Sequence, residues 1–298
     1  MGVRSIVVLA IVGLAAQLVD GSLGMAYGVT STTLLLAVGI APALASASVH
    51  IAEVGTTLAS GVSHWRFGNI DWSKVGWLAV PGGIGAFLGA VVLVSVITAE
   101  AAEPIIAIFL FLLGVYILAR FSFRRRQAPV VVRPISRGFL APLGLIAGFL
   151  DAAGGGGWGP ISTPTLLSSG RMEPRKIVGT VDTSEFVVAL AASLGFLLTL
   201  SFAAIPWGVV GALLVGGVIA APIAAWVVRI LPMRVLGTAV GGVILLTNMR
   251  TFLGAIGVEG NVVFVVYALI VVVWLAALFH SIVVNRQEKN TAPEGQPA

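Results

Sequence analysis

Charged residues are scarce in this chain and cysteine is absent. Only 10% of its 298 residues are charged, and 58% are hydrophobic, whereas a soluble domain carries about 25% charged residues. So few charges do not cover a globular surface, and a bilayer must therefore solvate most of the chain. The absence of cysteine excludes disulfides, thiolate metal sites and cysteine nucleophiles. Because unpaired backbone cannot face lipid, the composition predicts an all-α polytopic membrane protein.

Apolar runs recur along the whole chain, and each predicts a helix. They cover residues 5–19, 25–39, 43–63, 75–97, 104–119, 138–150, 158–169, 175–201, 206–228, 232–249 and 261–284. The first two runs and the sixth and seventh are shorter than the length of about 20 residues that a full crossing needs. A glycine-containing tip joins each short pair, which predicts a hairpin that enters the membrane and returns to the same side. Full crossings by these short helices stay open as an alternative.

Basic residues set the predicted orientation, because they collect on cytoplasmic loops. The chain holds seventeen Lys and Arg against twelve Asp and Glu. Six of these arginines fall between Arg120 and Arg137, with no acidic residue among them. We interpret this excess as membrane topology and not as a nucleic-acid surface. Counting crossings from the basic segment predicts a multi-pass plasma-membrane protein with its N-terminus outside and its C-terminus in the cytoplasm. Only Arg250, placed outside, disagrees.

The two halves of the chain align with each other. ASASVHIAE at 45–53 superposes on IVGTVDTSE at 177–185 with an offset of 132 residues, and DGSLGMAYG at 20–28 superposes on DAAGGGGWG at 151–159 with an offset of 131. Each half holds a hairpin and three long helices, an odd number of crossings, so the second half is predicted to be inverted, as in many transporters. The predicted divisions are a first repeat (1–123), a basic linker (124–137), a second repeat (138–254), an extra helix (255–284) and a cytoplasmic tail (285–298).

The glycine-rich tips form the first candidate site. A chain that reverses inside the membrane presents backbone N–H groups at the start of its second arm, where the helix carries roughly half a positive charge. An anion is the predicted occupant, and Gly159 and Pro160 are predicted to be the N-cap and first residue of the second arm. The predicted substrate-binding residues are Gly24, Gly28, Thr30, Ser31, Thr32, Gly155, Gly156, Gly157, Trp158, Gly159, Ser162 and Thr163. Close helix packing, as GxxxG provides, is the alternative; the repetition of the tips favours a site.

A pair of ionisable residues lies three positions apart in each half. His50 and Glu53 share one helix face, as do Asp182 and Glu185. In each half eleven residues separate the proline at the helix entry from the glutamate, or about 16 Å, which is near the middle of a hydrocarbon core about 30 Å thick. Carboxylates at that depth repel an anion unless they bind a proton or a cation, so these four residues are predicted to couple transport to H⁺ or Na⁺. A buried polar network is the alternative.

Other polar residues have simpler predicted roles. Asp20 and Asp151, at the two tips, are predicted to cap backbone N–H groups. His64 is predicted to be an interface residue where a loop begins. The glycines at 154, 156 and 159 fit GxGxxG, but an all-α membrane protein has no βαβ unit to hold a dinucleotide. No cofactor and no metal ion is predicted.

The tips also carry a family resemblance. DGSLGMAYG, the stretch GFLDAAGGGGWGP at 148–160 and the two helix-entry prolines followed by polar helices resemble the sulfite exporter TauE/SafE family over roughly residues 5–250. The resemblance implies transport of sulfite or an organosulfonate across the plasma membrane, usually outward. We therefore expect a secondary anion exporter working by alternating access, and not an enzyme. The first tip has fewer glycines than the second, which leaves open whether both contact the substrate equally.

Two other functions stay open. A passive anion channel predicts a flux that does not change in Glu53→Gln or Glu185→Gln. An intramembrane serine protease, a different class, requires Ser22 to contact His50 or His280. It predicts that Ser22→Ala abolishes peptide cleavage and leaves anion flux unchanged.

Overall fold

The structure is a computed structural model that describes residues 3–123, 135–169, 171–227, 233–258 and 260–290. Within these ranges it consists of eleven α-helices and a short 3₁₀ turn, without strands. The helices are α1 (Val3–Leu23), α2 (Tyr27–Ala37), α3 (Pro42–Arg66), α4 (Trp72–Ser95), α5 (Ala99–Ser122), α6 (Arg137–Gly154), α7 (Trp158–Ser168), α8 (Pro174–Thr199), α9 (Trp207–Val227), α10 (Met233–Ala255) and α11 (Asn261–Asn290). Each predicted apolar run is helical, and the all-α prediction is confirmed. Most of the predicted basic linker lies outside the described residues.

Several helices have the length and composition of membrane spans. Among the described residues, α1, α4, α5, α8, α9 and α11 are long and apolar enough to cross a bilayer. Their outer faces expose large apolar side chains such as Leu88, Ile219 and Phe264, which lipid solvates and water does not. The chain is therefore a polytopic membrane protein. The cellular membrane and the orientation of the termini stay predictions.

The two hairpins have unequal arms, which corrects the prediction that all four arms are short. The first arms, α1 and α6, have 21 and 18 residues, and the second arms, α2 and α7, have 11 each. At 1.5 Å per residue, these lengths correspond to about 31, 27 and 16 Å. Each first arm continues through its aspartate and ends only where a glycine adopts a left-handed conformation, at Gly24 (φ 68°) and Gly155 (φ 74°).

The start of α7 also differs from the prediction. Gly157 is the N-cap and Trp158 the first helical residue, two positions before the predicted boundary at Gly159 and Pro160. Pro160 remains in the first turn, where its missing N–H removes no intrahelical hydrogen bond. The helix therefore tolerates this proline although its N-terminus begins earlier.

The sequence alignment of the two halves pairs α1–α5 in order with α6–α10, and the contacts between helices follow this pairing. α4 packs along α6, and the corresponding helices α9 and α1 also pack together. α3 contacts α8 and α5 contacts α10, so that corresponding helices meet across the middle, while α11 packs on α10. Two equivalent halves that interlock would make these contacts. The inverted orientation of the second half stays a prediction.

Glycines allow the closest of these helix pairs to form. A Cβ added to Gly85 or Gly148 would collide with a backbone carbonyl oxygen of the facing helix in the α4–α6 pair. Gly13 and Gly216 have the same relation in the α1–α9 pair. The glycines of the GxxxG motifs at 85–89 in α4 and 144–148 in α6 thus serve helix packing.

Candidate functional site

The two hairpin tips meet inside the helical bundle. Gly28, near the start of α2, lies so close to the other tip that an added Cβ would be 3.0 Å from the Gly156 Cα. An added Cβ on Gly159 would be 2.5 Å from the Met25 Cα. Only glycine permits such an approach of backbone to backbone. The tips therefore touch in this structure, and no side chain or substrate fits between them.

An aspartate at the end of each first arm caps the second arm. Asp151 Oδ1 accepts hydrogen bonds from the backbone N–H groups of Gly157, at 2.7 Å, and Trp158, at 2.9 Å. Asp20 Oδ1 accepts one from the Tyr27 N–H at 3.3 Å. The predicted caps are confirmed. They also occupy amides at which an anion was predicted to bind, because a carboxylate supplies the negative charge that a helix N-terminus favours.

Asp151 also contacts the ionisable pair of the first half. His50 Nε2 lies 3.1 Å from Asp151 Oδ2 and 3.9 Å from Glu53 Oε2. We call these three residues the histidine cluster. All of them are at most 2% exposed, so His50, Glu53 and Asp151 form a buried group that joins α3 to the opposite hairpin.

Both ring nitrogens of His50 have hydrogen-bond partners. Nδ1 lies 2.8 Å from the Ser46 carbonyl oxygen, which only accepts, so Nδ1 carries a proton. Nε2 lies 3.1 Å from Asp151 Oδ2, while the other oxygen of Asp151 accepts two backbone hydrogen bonds. His50 and Asp151 therefore share a proton between Nε2 and Oδ2 in a buried hydrogen bond.

The corresponding group in the second half consists of carboxylates alone. Asp20, Asp182 and Glu185, which we call the carboxylate cluster, each bring an oxygen within 4.8 Å of the others, and they are 2%, 1% and 5% exposed. At that separation and an effective dielectric constant of about 20, each ionised pair would repel by about 3 kcal/mol. The cluster therefore requires protons or a cation. By geometry, either cluster has a ligand set that could hold a metal ion.

His64 lies beside the carboxylate cluster, which corrects its prediction as an interface residue. It is fully buried within α3, and its Nδ1 accepts a hydrogen bond from Asn69 Nδ2 at 3.1 Å. Its Nε2 is 3.8 Å from Asp182 Oδ2. The sequence did contain a signal: His64 follows His50 by 14 residues, or about four helical turns, and so shares its helix face.

Matched hydroxyl groups lie near the starts of the two short helices. Ser31 and Ser162 are each the fifth residue of their helix, both are 0% exposed, and neither hydroxyl has a hydrogen-bond partner. The Thr163 hydroxyl donates to the Gly24 carbonyl across the tip contact, whereas its counterpart Thr32 has no partner. Buried polar groups are normally satisfied, so these hydroxyls mark a polar place in an apolar interior.

The remaining predicted substrate-binding residues divide into two groups. Gly155 lies against the Thr32 side chain of the opposite tip, and Thr30 contributes another buried hydroxyl without a partner. Trp158 is directed elsewhere: its Nε1 donates to the Val181 carbonyl at 3.0 Å. In the other half, the Tyr27 hydroxyl donates to a backbone carbonyl of α9. These two aromatic residues attach the short helices to the bundle.

The contact required by the protease alternative is not among the hydrogen bonds of the described residues. The Ser22 hydroxyl donates to the Leu18 and Val19 carbonyls of its own helix, at 2.6 and 3.0 Å. His50 contacts Asp151, and His280 packs against Phe123, the residue that follows α5. Ser22 is therefore bonded as an ordinary helix serine.

Helices that interlock around buried ionisable groups are typical of membrane transporters. The sequence profile described as Sulfite exporter TauE/SafE matches residues 9–251, and the chain belongs to that family. It is 52% identical over 276 residues to the probable membrane transporter protein YtnM of Bacillus subtilis (strain 168), covering 92% of each chain. No solved structure gives a significant match. The family resemblance seen in the glycine-rich tips is thus confirmed.

Proposed function

We propose that this protein exports sulfite or an organosulfonate across the plasma membrane by alternating access, coupled to H⁺ or Na⁺. Membership of the sulfite exporter family supports a small sulfur oxyanion as substrate. The observation that carries the proposal is the pair of matched hydroxyls, Ser31 and Ser162, buried without partners where two repeated hairpins meet. The tip aspartates Asp20 and Asp151 belong to two buried ionisable clusters, which fits coupling to a cation.

The hydroxyls suit the chemistry of a sulfonate group. Its oxygens are acceptors, and the side chains of Thr30, Ser31, Thr32 and Ser162 offer donors that have no other partner. The positive N-terminal ends of α2 and α7 add favourable electrostatic potential at the same place. An oxyanion between the two tips would satisfy polar groups that the protein leaves unpaired.

Binding requires the tips to separate. The contact of Gly28 with Gly156 leaves no space for an anion, so this arrangement corresponds to a closed state. Rocking of one half against the other would part the tips toward one side of the membrane at a time, which is the motion of alternating access.

Charge provides the coupling. A Cβ added to Gly28 would be 3.3 Å from Glu53 Oε1 and 3.8 Å from Asp151 Oδ1, so an anion that enters here approaches carboxylates. At 4 Å and an effective dielectric constant of about 20, each such contact costs about 4 kcal/mol per pair of unit charges. A cation that neutralises the carboxylates removes this cost, and anion binding then depends on cation binding.

Flux through reconstituted liposomes tests the proposal. We expect an imposed pH or Na⁺ gradient to drive transport of sulfite or a taurine-like sulfonate. We expect Ser162→Ala to lower this flux about tenfold, because the variant loses a charge-assisted hydrogen bond to the anion. Ser63→Ala is the matched control, because the Ser63 hydroxyl donates to the Ala59 carbonyl within α3. The proposal is refuted if transport of both anions is driven by neither the pH gradient nor the Na⁺ gradient. Flux that persists unchanged in Glu53→Gln and Glu185→Gln would instead identify a passive channel.

A further inference from the structure

The two ionisable clusters correspond in position but differ in charge. Asp20 and Asp151 are related by the offset of 131 residues, and Glu53 and Glu185 by the offset of 132. The third pair breaks the match, because His50 in one cluster corresponds to Asp182 in the other. One cluster thus contains an imidazole nitrogen 3.1 Å from its capping aspartate, and the other contains an acid at the equivalent place.

We propose that the carboxylate cluster binds a hard inorganic cation and that His50 supplies the equivalent positive charge permanently in the histidine cluster. With every carboxyl group ionised and His50 protonated, the histidine cluster has a net charge of one negative unit and the carboxylate cluster has three. Oxygen ligands of this kind select Na⁺, Mg²⁺ or Ca²⁺ over softer metals. The cation supplies in the carboxylate cluster the positive charge that the imidazolium supplies in the histidine cluster.

Buried polar side chains beside the cluster support this assignment independently. Gln17 is 0% exposed and neither atom of its amide has a hydrogen-bond partner, and the same holds for the Ser60 hydroxyl. Both lie 3.6 Å from the position of a Cβ added to Gly21, the residue after Asp20. The Gln17 atom at that distance is the amide nitrogen Nε2, which is a donor, so the Ser60 hydroxyl oxygen is the ligand that this place offers to a hard cation.

Asp182 is a buried carboxylate close to Asp20 and to the Ser60 hydroxyl. Neither of its carboxylate oxygens has a hydrogen-bond partner, although the residue is 1% exposed. His64 Nε2, at 3.8 Å from Oδ2, is beyond hydrogen-bond distance. Buried carboxylates are ordinarily paired or coordinated to metal ions, and a bound cation would satisfy this one.

The inference deepens the proposed function and rests on it for its consequence. If the protein is a cation-coupled exporter, the exchangeable cation binds in the carboxylate cluster, and the histidine cluster keeps a fixed charge throughout the cycle. Asp20 is then both the cap of α2 and a cation ligand. Cation binding would stabilise the N-terminus of α2 and would thereby affect the contact between the hairpin tips.

Thermal unfolding of the purified full-length protein in detergent tests the cation site without any anion substrate. We expect NaCl, MgCl₂ or CaCl₂ to raise the unfolding midpoint in a saturable manner, while choline chloride at equal ionic strength does not. The three salts distinguish which hard cation is bound. Asp182→His, which copies the histidine cluster, should abolish the shift, and Glu185→Gln should weaken apparent affinity by about tenfold or more. Glu173→Gln, which alters an exposed carboxylate paired with Arg175, should retain the wild-type response.

Three results would overturn the assignment. The first is an unfolding midpoint that responds to pH but to none of the metal chlorides. The second is a cation-induced rise of the midpoint that is as large in Asp182→His and Glu185→Gln as in the wild type. The third is a rise produced by ZnCl₂ alone that survives in Asp182→His, which would place the metal in the histidine cluster. If Asp182→His does not fold, the near-isosteric Glu185→Gln still tests the cation site, because an unchanged apparent cation affinity in that variant would contradict the assignment. The unfolding experiment contains no sulfite, so its failure would not affect the flux result. A failure of the flux experiment would likewise not affect the unfolding result.

Discussion

Replacing Gly28 by alanine tests the contact between the hairpin tips. The new Cβ would lie 3.0 Å from the Gly156 Cα and 3.3 Å from Glu53 Oε1, and the nearer atom belongs to backbone that cannot rotate away. Overpacking of this kind costs about 1–3 kcal/mol. Since the contact exists only while the tips touch, the cost falls on the closed state and should shift the equilibrium toward open states about 5- to 150-fold.

Thiol labelling measures this shift directly. The chain has no cysteine, so Ser162→Cys introduces a single thiol at a position that is 0% exposed. In that background, we expect Gly28→Ala to raise the rate of modification by a water-soluble methanethiosulfonate reagent about fivefold or more, in proportion to the open population.

The control is Gly76→Ala, another added methyl group in a helix. A Cβ at Gly76 meets nothing within 4 Å, and alanine favours a helix interior over glycine by about 1 kcal/mol. The labelling rate should therefore match that of the parent. If Gly28→Ala remains folded and monodisperse and labels at the parent rate, the tip contact does not close the site and the reasoning fails.

Two further predictions concern thermal stability. Ala26 has a φ of 97°, a left-handed conformation that costs a non-glycine residue about 1–2 kcal/mol, so Ala26→Gly should raise the unfolding midpoint by about 2–4 °C; a lower midpoint would show that the turn is not strained. Thr163→Val should destabilise the protein by about 1–3 kcal/mol by leaving the Gly24 carbonyl unpaired. Its counterpart Thr32→Val removes a hydroxyl without a partner and should be nearly neutral in denaturation, and equal losses would contradict this difference.

The helices could be predicted because they depend on local information. Runs such as 75–97 have apolar residues at nearly every position, and the corresponding α4 covers Trp72–Ser95. The least accurate boundaries were those of the first arms. There the aspartate and the small residues after it suggested a break, yet the helix continues through Asp20 and Asp151 because each side chain caps the following helix.

The site was predicted in part. The pairs His50–Glu53 and Asp182–Glu185 each share a helix face, which spacing alone establishes. Spacing also gave Asp20 and Asp151 their capping role, but not their second contacts. Gln17 and Ser60 had no signal, since a single amide or hydroxyl in a helix has no distinguishing pattern. They become candidates only once their burial without hydrogen-bond partners is known.

By itself, the sequence determined that this protein is an all-α membrane protein, and it predicted two related halves with glycine-rich reversals. Backbone that faces lipid must satisfy its own hydrogen bonds, whatever its neighbours are. Only the tertiary structure decided that each tip aspartate belongs to the ionisable pair of the other half. His50 and Asp151 are 101 residues apart, and no local periodicity relates positions at that distance. The asymmetry of charge between the two clusters follows instead from the sequence, because His50 corresponds to Asp182 and the exchanged partners are both aspartates.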